Sequence, residues 1–400
     1  MSYQRIAKPR IYVDMINPLL ENGTITGTDQ ITGTGLLTTA SKIIQLFDNK
    51  PNNTVTIGGN GTGTAQNIIV DTNIANTFED ATCHVTSGSA IVTHDANANI
   101  VEGLMVYGAG LSDGLTIDSI TNSTTFVLED NADAGDGSEI TLQFHDDSKD
   151  SLLGETLFVA ILGHNLKSAD AKFRVETDHS SNFGSAQTPT MTSVYNSTVS
   201  SNYSVPTTDG WSLITYQQQH DARYQKLVIE DVSTYDTDVK IGCILWGIKY
   251  TFPSSPDLNI KRSFSYDGLK INESLGGQKY AHATYLSGNS WTSTAAWDTT
   301  TTPSLKTGRQ KIDMSFSYLS DTDVFPSDLH DVTISTTGES VLNRLIWMTN
   351  GGMHPLLLQL SHSDTNDDDG WLYCRLGNKP SFTQVAHRNW STQLSFIEEF

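Results

Sequence analysis

Apolar and polar side chains alternate with a period of two along most of this chain. Ala171, Phe173 and Val175 alternate with Lys172, Arg174 and Glu176. Ile140, Leu142 and Phe144 alternate with Thr141, Gln143 and His145, and Ile312, Met314, Phe316 and Tyr318 with Asp313, Ser315 and Ser317. Successive side chains of an extended strand point to opposite faces, so each run describes a strand with one wet face. Asn60-Gly61, Asp136-Gly137, Asp209-Gly210 and Asp369-Gly370 punctuate these runs as turns. Short strands separated by such turns build sandwiches rather than alternating strand–helix units. The expected fold class is all-β, a set of β-sandwiches with one or two short helices.

Two segments carry helical spacing. Leu36, Leu37, Ala40, Ile43, Ile44 and Phe47 form one apolar stripe. A second helix is expected from Thr336, with Glu339 completing a capping box and Val341, Leu342, Leu345 and Ile346 as its apolar face. Asn350-Gly351-Gly352 would stop it.

Composition narrows the function classes. The chain has 400 residues, with 24 Lys and Arg against 45 Asp and Glu, a net charge of −21. Binding to nucleic acid depends on clustered cations that release phosphate counterions, and this balance opposes it. It equally opposes anionic membrane surfaces. No apolar run approaches the ~20 residues of a membrane-spanning helix, and Met1 to Lys8 show no signal-peptide apolar region. Membrane insertion is therefore not expected. Cys83, Cys243 and Cys374 are odd in number and form no CxxC, so they are expected as buried small apolar residues.

Four hundred residues exceed one core, and composition suggests the divisions. Residues 1–35 hold Ile11 to Ile16 and then a Gly/Thr-rich stretch, too little for a core of their own. They are expected to form an extended arm that pairs with a neighbouring subunit. Residues 36–78 and 146–252 would form one discontinuous module, interrupted by a small β domain at 79–145 whose terminal strands lie close together. Thr251 to Asp257, with two prolines and two serines, reads as a linker to a β-rich domain at 257–400.

Chemistry-bearing motifs are sparse. No GxSxG, HExxH or phosphate-binding loop is present, and Gly58 to Gly63 precedes a strand rather than a helix. Asp364 to Gly370 approaches a calcium loop, but its Gly is one position late and Arg375 stands where the bidentate Glu belongs. It reads as a hairpin turn, and Glu129, Asp130, Asp133 and Asp136 as a solvated acidic loop. No catalytic residue, metal ligand or cofactor site is expected. His164 and Asn165 follow an apolar strand and are expected to hydrogen-bond the turn backbone. Trp211 follows Asp209-Gly210 and Trp291 follows Gly288-Asn289-Ser290. An exposed loop Trp can stack on a sugar ring or bury in a subunit interface, so these two are the candidate contacts.

The order of motifs in residues 36–252 resembles a known family. Phe47-Asp48-Asn49 precedes Asn67-Ile68-Ile69-Val70-Asp71; later come Arg223-Tyr224-Gln225-Lys226-Leu227-Val228-Ile229 and Ile241 to Gly247. This is similar to discoidin-like, galactose-binding-fold jelly rolls, although Asn49 replaces the family's Gly and Thr72-Asn73 its Leu-Gly. Ile161-Leu162-Gly163-His164-Asn165-Leu166 resembles a variant of that motif in structural proteins of tailed bacteriophages. Val101 to Gly110 with Thr116 to Ile120 resembles the immunoglobulin-like modules inserted in phage virion proteins. The resemblance implies a non-enzymatic virion component, in the tail near its tip, baseplate or fibre. Its partners would be copies of itself and other virion proteins. A carbohydrate-binding adhesin for host surface glycan is the alternative, and a polysaccharide-degrading enzyme the third reading.

Overall fold

The computed structural model describes residues 7–399 apart from 28–29, 35–36, 38–39, 73–76, 146–154, 179–180, 185, 201, 218–221, 232–233, 267–268, 284–307, 328, 330–339 and 362–369. Strands make up 53% of it and the helices are short. The chain is all-β, built from several antiparallel sheets and one small barrel.

An 11-stranded sheet forms the spine. From one edge its order is Met191–Tyr195, Gly210–Gln217, Thr156–His164, Cys243–Thr251, Arg10–Asp14, Leu356–Gln359, Trp371–Leu376, Asn389–Glu398, Arg309–Ser320 and Lys261–Ser265, with Phe382–Ala386 branching from Asn389–Glu398. A six-stranded sheet packs against its first half. That sheet runs Ser197–Ser200, Tyr203–Pro206, Lys172–Asp178, Tyr224–Glu230, Gln66–Asp71, Ile31–Gly33. Ile11, Val159, Ile161 and Trp246 from the spine meet Ile68, Phe173, Val175 and Leu227 from the facing sheet in one core. A polar chain runs through this core. Trp246 Nε1 donates to the Tyr216 hydroxyl at 2.7 Å, Tyr216 to Gln225 Oε1 at 3.0 Å, and Gln225 Nε2 to the Ala222 carbonyl at 3.1 Å. Each buried polar group in it thereby finds a partner.

The alternating Lys172, Arg174 and Glu176 lie on the wet face of the facing sheet. There Lys226 and Arg174 pair with Glu176, and Lys172 and Arg174 with Glu230. The spine differs, because its middle strands are buried on both faces. Leu157, Val159 and Ile161 enter the main core, while Phe158, Ala160 and Leu162 enter a second cluster with Tyr12, Leu213, Leu245 and Leu357. This is why Leu157 to Leu162 reads as an unbroken apolar run.

Three expectations are corrected. Residues 10–14 are not an arm. They pair with Asp14↔Gly247 to Arg10↔Thr251 on one side and Arg10↔Gln359 to Val13↔Leu356 on the other, in the middle of the spine. Three consecutive buried side chains, Ile11, Tyr12 and Val13, supply both of its faces. The Ile16–Glu21 helix and the Ile31–Gly33 strand tie the following residues into the body. Thr251 to Asp257 is not a free linker either. Phe252 is buried and stacks on Phe316 at 5.1 Å, and the amide of Asp257 donates to the Ser315 carbonyl. Ile312, Met314, Phe316, Leu358, Leu394 and Phe396 join the same core as the first half, so no boundary at 257 divides the hydrophobic interior.

The third correction concerns the insert. Its first strand, Thr77–Thr86, begins two residues before the expected boundary at 79, and the strands from there to Asp136–His145 close into a six-stranded barrel around Val85, Val92, Phe126, Leu142 and Phe144. Its first and last strands pair, with Thr77 opposite His145. Barrel closure removes the sheet edges that a free module would expose.

Of the expected helices, Ala40–Gln45 is present, and Leu342–Trp347 forms a turn of wide π-helix. Asn350, Gly351 and Gly352 follow with positive φ and end it. Thr336 and Glu339 lie outside the described residues.

The N-terminal strand constrains its neighbour. A Cβ on Gly247 would lie 1.9 Å from the Val13 carbonyl oxygen, and backbone on both sides of that contact is locked in the ladder. Gly247→Ala is expected to cost about 1–3 kcal/mol or more, the range for overpacked interiors. A lowered urea midpoint with an unchanged slope checks this; an unchanged midpoint would contradict the close approach.

Candidate functional site

Along the spine, the face opposite the main core changes character from one end to the other. Register fixes the rows: Gln217 lies opposite Thr156, Phe158 lies opposite both Thr215 and Gly247, and Tyr12 lies opposite Lys249. Further along, Leu213, Ala160 and Leu245 form an apolar row, and Trp211, Leu162 and Cys243 another. The face is therefore greasy at one end and polar at the other.

At the polar end a cleft of about 430 Å³ opens between the Met191–Tyr195 edge strand and the N-terminal strand. Arg10, Lys249, Thr156, Thr192, Thr215 and Gln217 contribute its polar groups, and Tyr12, Tyr216 and Val194 its apolar wall. Arg10 donates from Nε to Thr251 Oγ1 at 3.2 Å. The Tyr12 hydroxyl donates to Gln359 Oε1 at 3.2 Å, and burial pushes its phenol well above the ordinary value. No carboxylate, imidazole or thiol is among these lining residues. In a chain of net charge −21, a cleft with two cations and no acid is a local reversal of sign. Its size falls in the range of small-ligand pockets, about 300–1,000 Å³. Cations flanked by hydroxyls and an amide suit an anionic or polyhydroxylated ligand.

The sequence candidates fall elsewhere. Trp211 belongs to the Gly210–Gln217 strand and is only 5% exposed. Its ring stacks on Tyr195 at 3.9 Å and meets Trp371 edge-on at 5.3 Å. It cannot present a free face to a sugar ring, which corrects its reading as an exposed loop contact. Trp291 lies outside the described residues, as do Asp364 to Asp369. The amide of Asn60, in the glycine-rich loop, donates to Asp238 at 2.9 Å, and a strand follows that loop. Among the described residues no group of His, Cys, Asp and Glu is arranged to hold a metal. The three cysteines are buried and form no disulfide, and burial pushes the Cys83 thiol up to about 12.

His164 and Asn165 form hydrogen bonds within the fold. Asn165 accepts from the Lys240 amide at 2.7 Å and donates to the Asp238 carbonyl at 2.8 Å. His164 Nδ1 accepts from the Leu166 amide at 3.3 Å, which leaves Nε2 to donate to Ser212 Oγ at 2.9 Å. Ser212 passes the chain on to the Asn196 carbonyl at 3.1 Å. Gly163 enters this turn at φ 66°, where a Cβ would strike the Pro51 carbonyl oxygen. Asn196, in the run Asn196-Ser197-Thr198, is a residue to which the sequence assigned no role. At φ 50° its side chain holds the Thr207 and Thr208 hydroxyls and the Trp211 carbonyl. It thereby locks the turn that precedes the Trp211 strand.

Matched against protein-family models, curated proteins and solved structures, the chain shows no similarity to any of them. Fold and site together define a layered antiparallel β protein with an inserted barrel and a basic cleft on its outer face.

Burial lowers the His164 pKa from 6.5 to about 3. The unfolded chain thus takes up a proton below pH 6.5 that the folded chain refuses until about pH 3. This contribution to stability is complete above pH 6.5 and is lost as the pH falls toward 3, at up to about 1.4 kcal/mol per pH unit. Urea unfolding at pH 7 and pH 5 should show His164→Gln less stable at neutral pH but losing less in acid. An equal acid loss in both proteins would contradict the assignment.

Proposed function

We propose that this chain is a non-enzymatic structural component of a tailed-bacteriophage virion, a tail protein near the tip, baseplate or fibre, that acts by assembling into a symmetric oligomer. One observation carries the reading. Large apolar side chains stand in solvent along consecutive strands of the second half: Leu258, Phe264, Ile271, Leu275 and Tyr280 within one stretch, and Tyr318 and Val385 on nearby strands. Isolated surface hydrophobics need no explanation, but a concentration of them marks surface that is covered in use. The layered sheets supply rigidity, and the surplus of acid keeps unassembled copies apart and soluble. The likeness of Ile161 to Leu166 and of residues 101–120 to phage proteins supplies the virion setting.

Light scattering on the full chain tests this. A defined multiple of 43.7 kDa is expected, together with recovery of the chain from purified phage particles by mass spectrometry. A single-chain mass at every concentration, or absence from the particles, would defeat the reading.

The basic cleft favours a second reading, adhesion to an acidic host surface polysaccharide. Arg10 and Lys249 would meet its carboxylates, and Thr156, Thr192 and Gln217 its hydroxyls. Lys249→Glu should then abolish retention on immobilised acidic polysaccharide, by tenfold or more, without changing the oligomer mass. Equal retention of variant and parent, or none by either, would remove this reading.

A further inference from the structure

The apolar surface just described is most concentrated in a hairpin that stands away from the body. Leu269–Glu273 and Lys279–Ala283 pair with each other, and among the described residues with no other strand. Every side chain from Lys270 to Ala281 is exposed, including Ile271 and Tyr280 at 59% and 58% and Leu275 at the tip. A two-stranded hairpin without a supporting layer is marginally stable in water. One that carries three large apolar side chains at its surface is completed by what it packs against.

Charge indicates the occupant. Residues 258–283 contain Lys261, Arg262, Lys270 and Lys279 against Asp267 and Glu273, so the stretch is +2 in a chain of −21. The barrel is its opposite. Residues 77–145 contain 11 Asp and Glu and no Lys or Arg, which places −11 of the chain's −21 in that one module. Asp95, Asp118, Glu129, Asp130, Asp133 and Asp136 are exposed on it. The barrel also leaves apolar side chains in solvent. Ile91 is 55% exposed and Ile120 38%, on strands that both pair with Thr125–Leu128. A basic, apolar projection and an acidic surface with apolar patches thus occur once each in every copy.

We propose that the Leu269–Ala283 hairpin of one copy docks edge-on on the acidic barrel of a second copy, over the strands that carry Ile91 and Ile120, with Leu275 at its tip, Ile271 and Lys279 on one of its faces and Tyr280 and Lys270 on the other. Lys270 and Lys279 face carboxylates such as Asp95 and Asp118. The two surfaces are different, so copies join either heterologously, head to tail in a ring, or isologously, by reciprocal exchange of hairpins in a two-fold pair. This rests on the reading of the chain as an assembling protein and names the surfaces through which it assembles.

The full chain is tested as the parent, as K270E/K279E, as I271D, and as D95K/D118K. All these positions are exposed, so thermal unfolding of the body should be unchanged in each variant. Light scattering should show the parent as a multiple of 43.7 kDa and each hairpin or barrel variant reduced toward the single-chain mass. Combining K270E/K279E with D95K/D118K, which exchanges the charges, should restore association. Zero-length carboxyl–amine coupling in a mixture of isotopically light and heavy copies should link Lys270 or Lys279 of one copy to the 77–145 segment of another. A parent that associates while all variants associate equally overturns the hairpin docking and leaves the assembly reading standing. Coupling only within a copy, or only to residues outside 77–145, likewise overturns the hairpin–barrel contact. A parent that remains at 43.7 kDa at every concentration overturns the assembly reading and this proposal together.

Discussion

The five residues Arg10–Asp14 hold the two halves of this protein in one sheet. Their ladder reaches Cys243–Thr251 on one side and Leu356–Gln359 on the other, so sheet continuity depends on a strand taken from the start of the chain. Asp14 fastens the strand at its exit. Its buried carboxylate accepts from the amides of Ile16, Asn17 and Trp246 and from the Asn17 side chain, which satisfies the start of the Ile16–Glu21 helix and clamps it to the spine. Burial pushes this carboxyl above its usual range, and the four N–H donors pull it back. A second clamp is the fully buried pair of Arg344 and Glu155, which ties the Leu342–Trp347 helix to the residue preceding the Thr156–His164 strand. Removing one member of such a pair strands a charge in the interior at a cost of about 3–5 kcal/mol.

This arrangement has a kinetic side. Tyr12 and Gln359 are hydrogen-bonded across 347 positions of sequence. Contacts of such separation form slowly, because loop closure is opposed by entropy until many of them act together. The barrel, whose strands all lie within Thr77 to His145, has no such dependence on distant sequence.

The fold was legible wherever one face of a strand is wet. Lys172 to Glu176 and Ile312 to Tyr318 show their alternation plainly, and both are strands. It was less legible where both faces are dry. Ile11, Tyr12 and Val13 are too short a run to show whether they cross a core or leave it, and only the pairing partners decide. Trp211 misled for a related reason. Asp209-Gly210 marks a turn, but the strand begins at Gly210 itself, so the next side chain is already inside. The cleft could not be read in sequence at all. Arg10 and Lys249 stand 239 positions apart, and only the register of two antiparallel strands sets them side by side. Gly163 and His164 were visible as a motif, whereas Asn196, which locks the neighbouring turn, carries no local signal of that role.

The pairing of Thr77 with His145 has an evolutionary consequence. The module's own two ends lie opposite each other on paired strands, about 5 Å apart, whatever the excursion between contains. A lineage could lengthen, exchange or discard the whole acidic module while the sandwich that flanks it in sequence kept its shape. The protein is thus a chassis with a socket, in which the charge of the outer attachment can drift independently of the body that carries it.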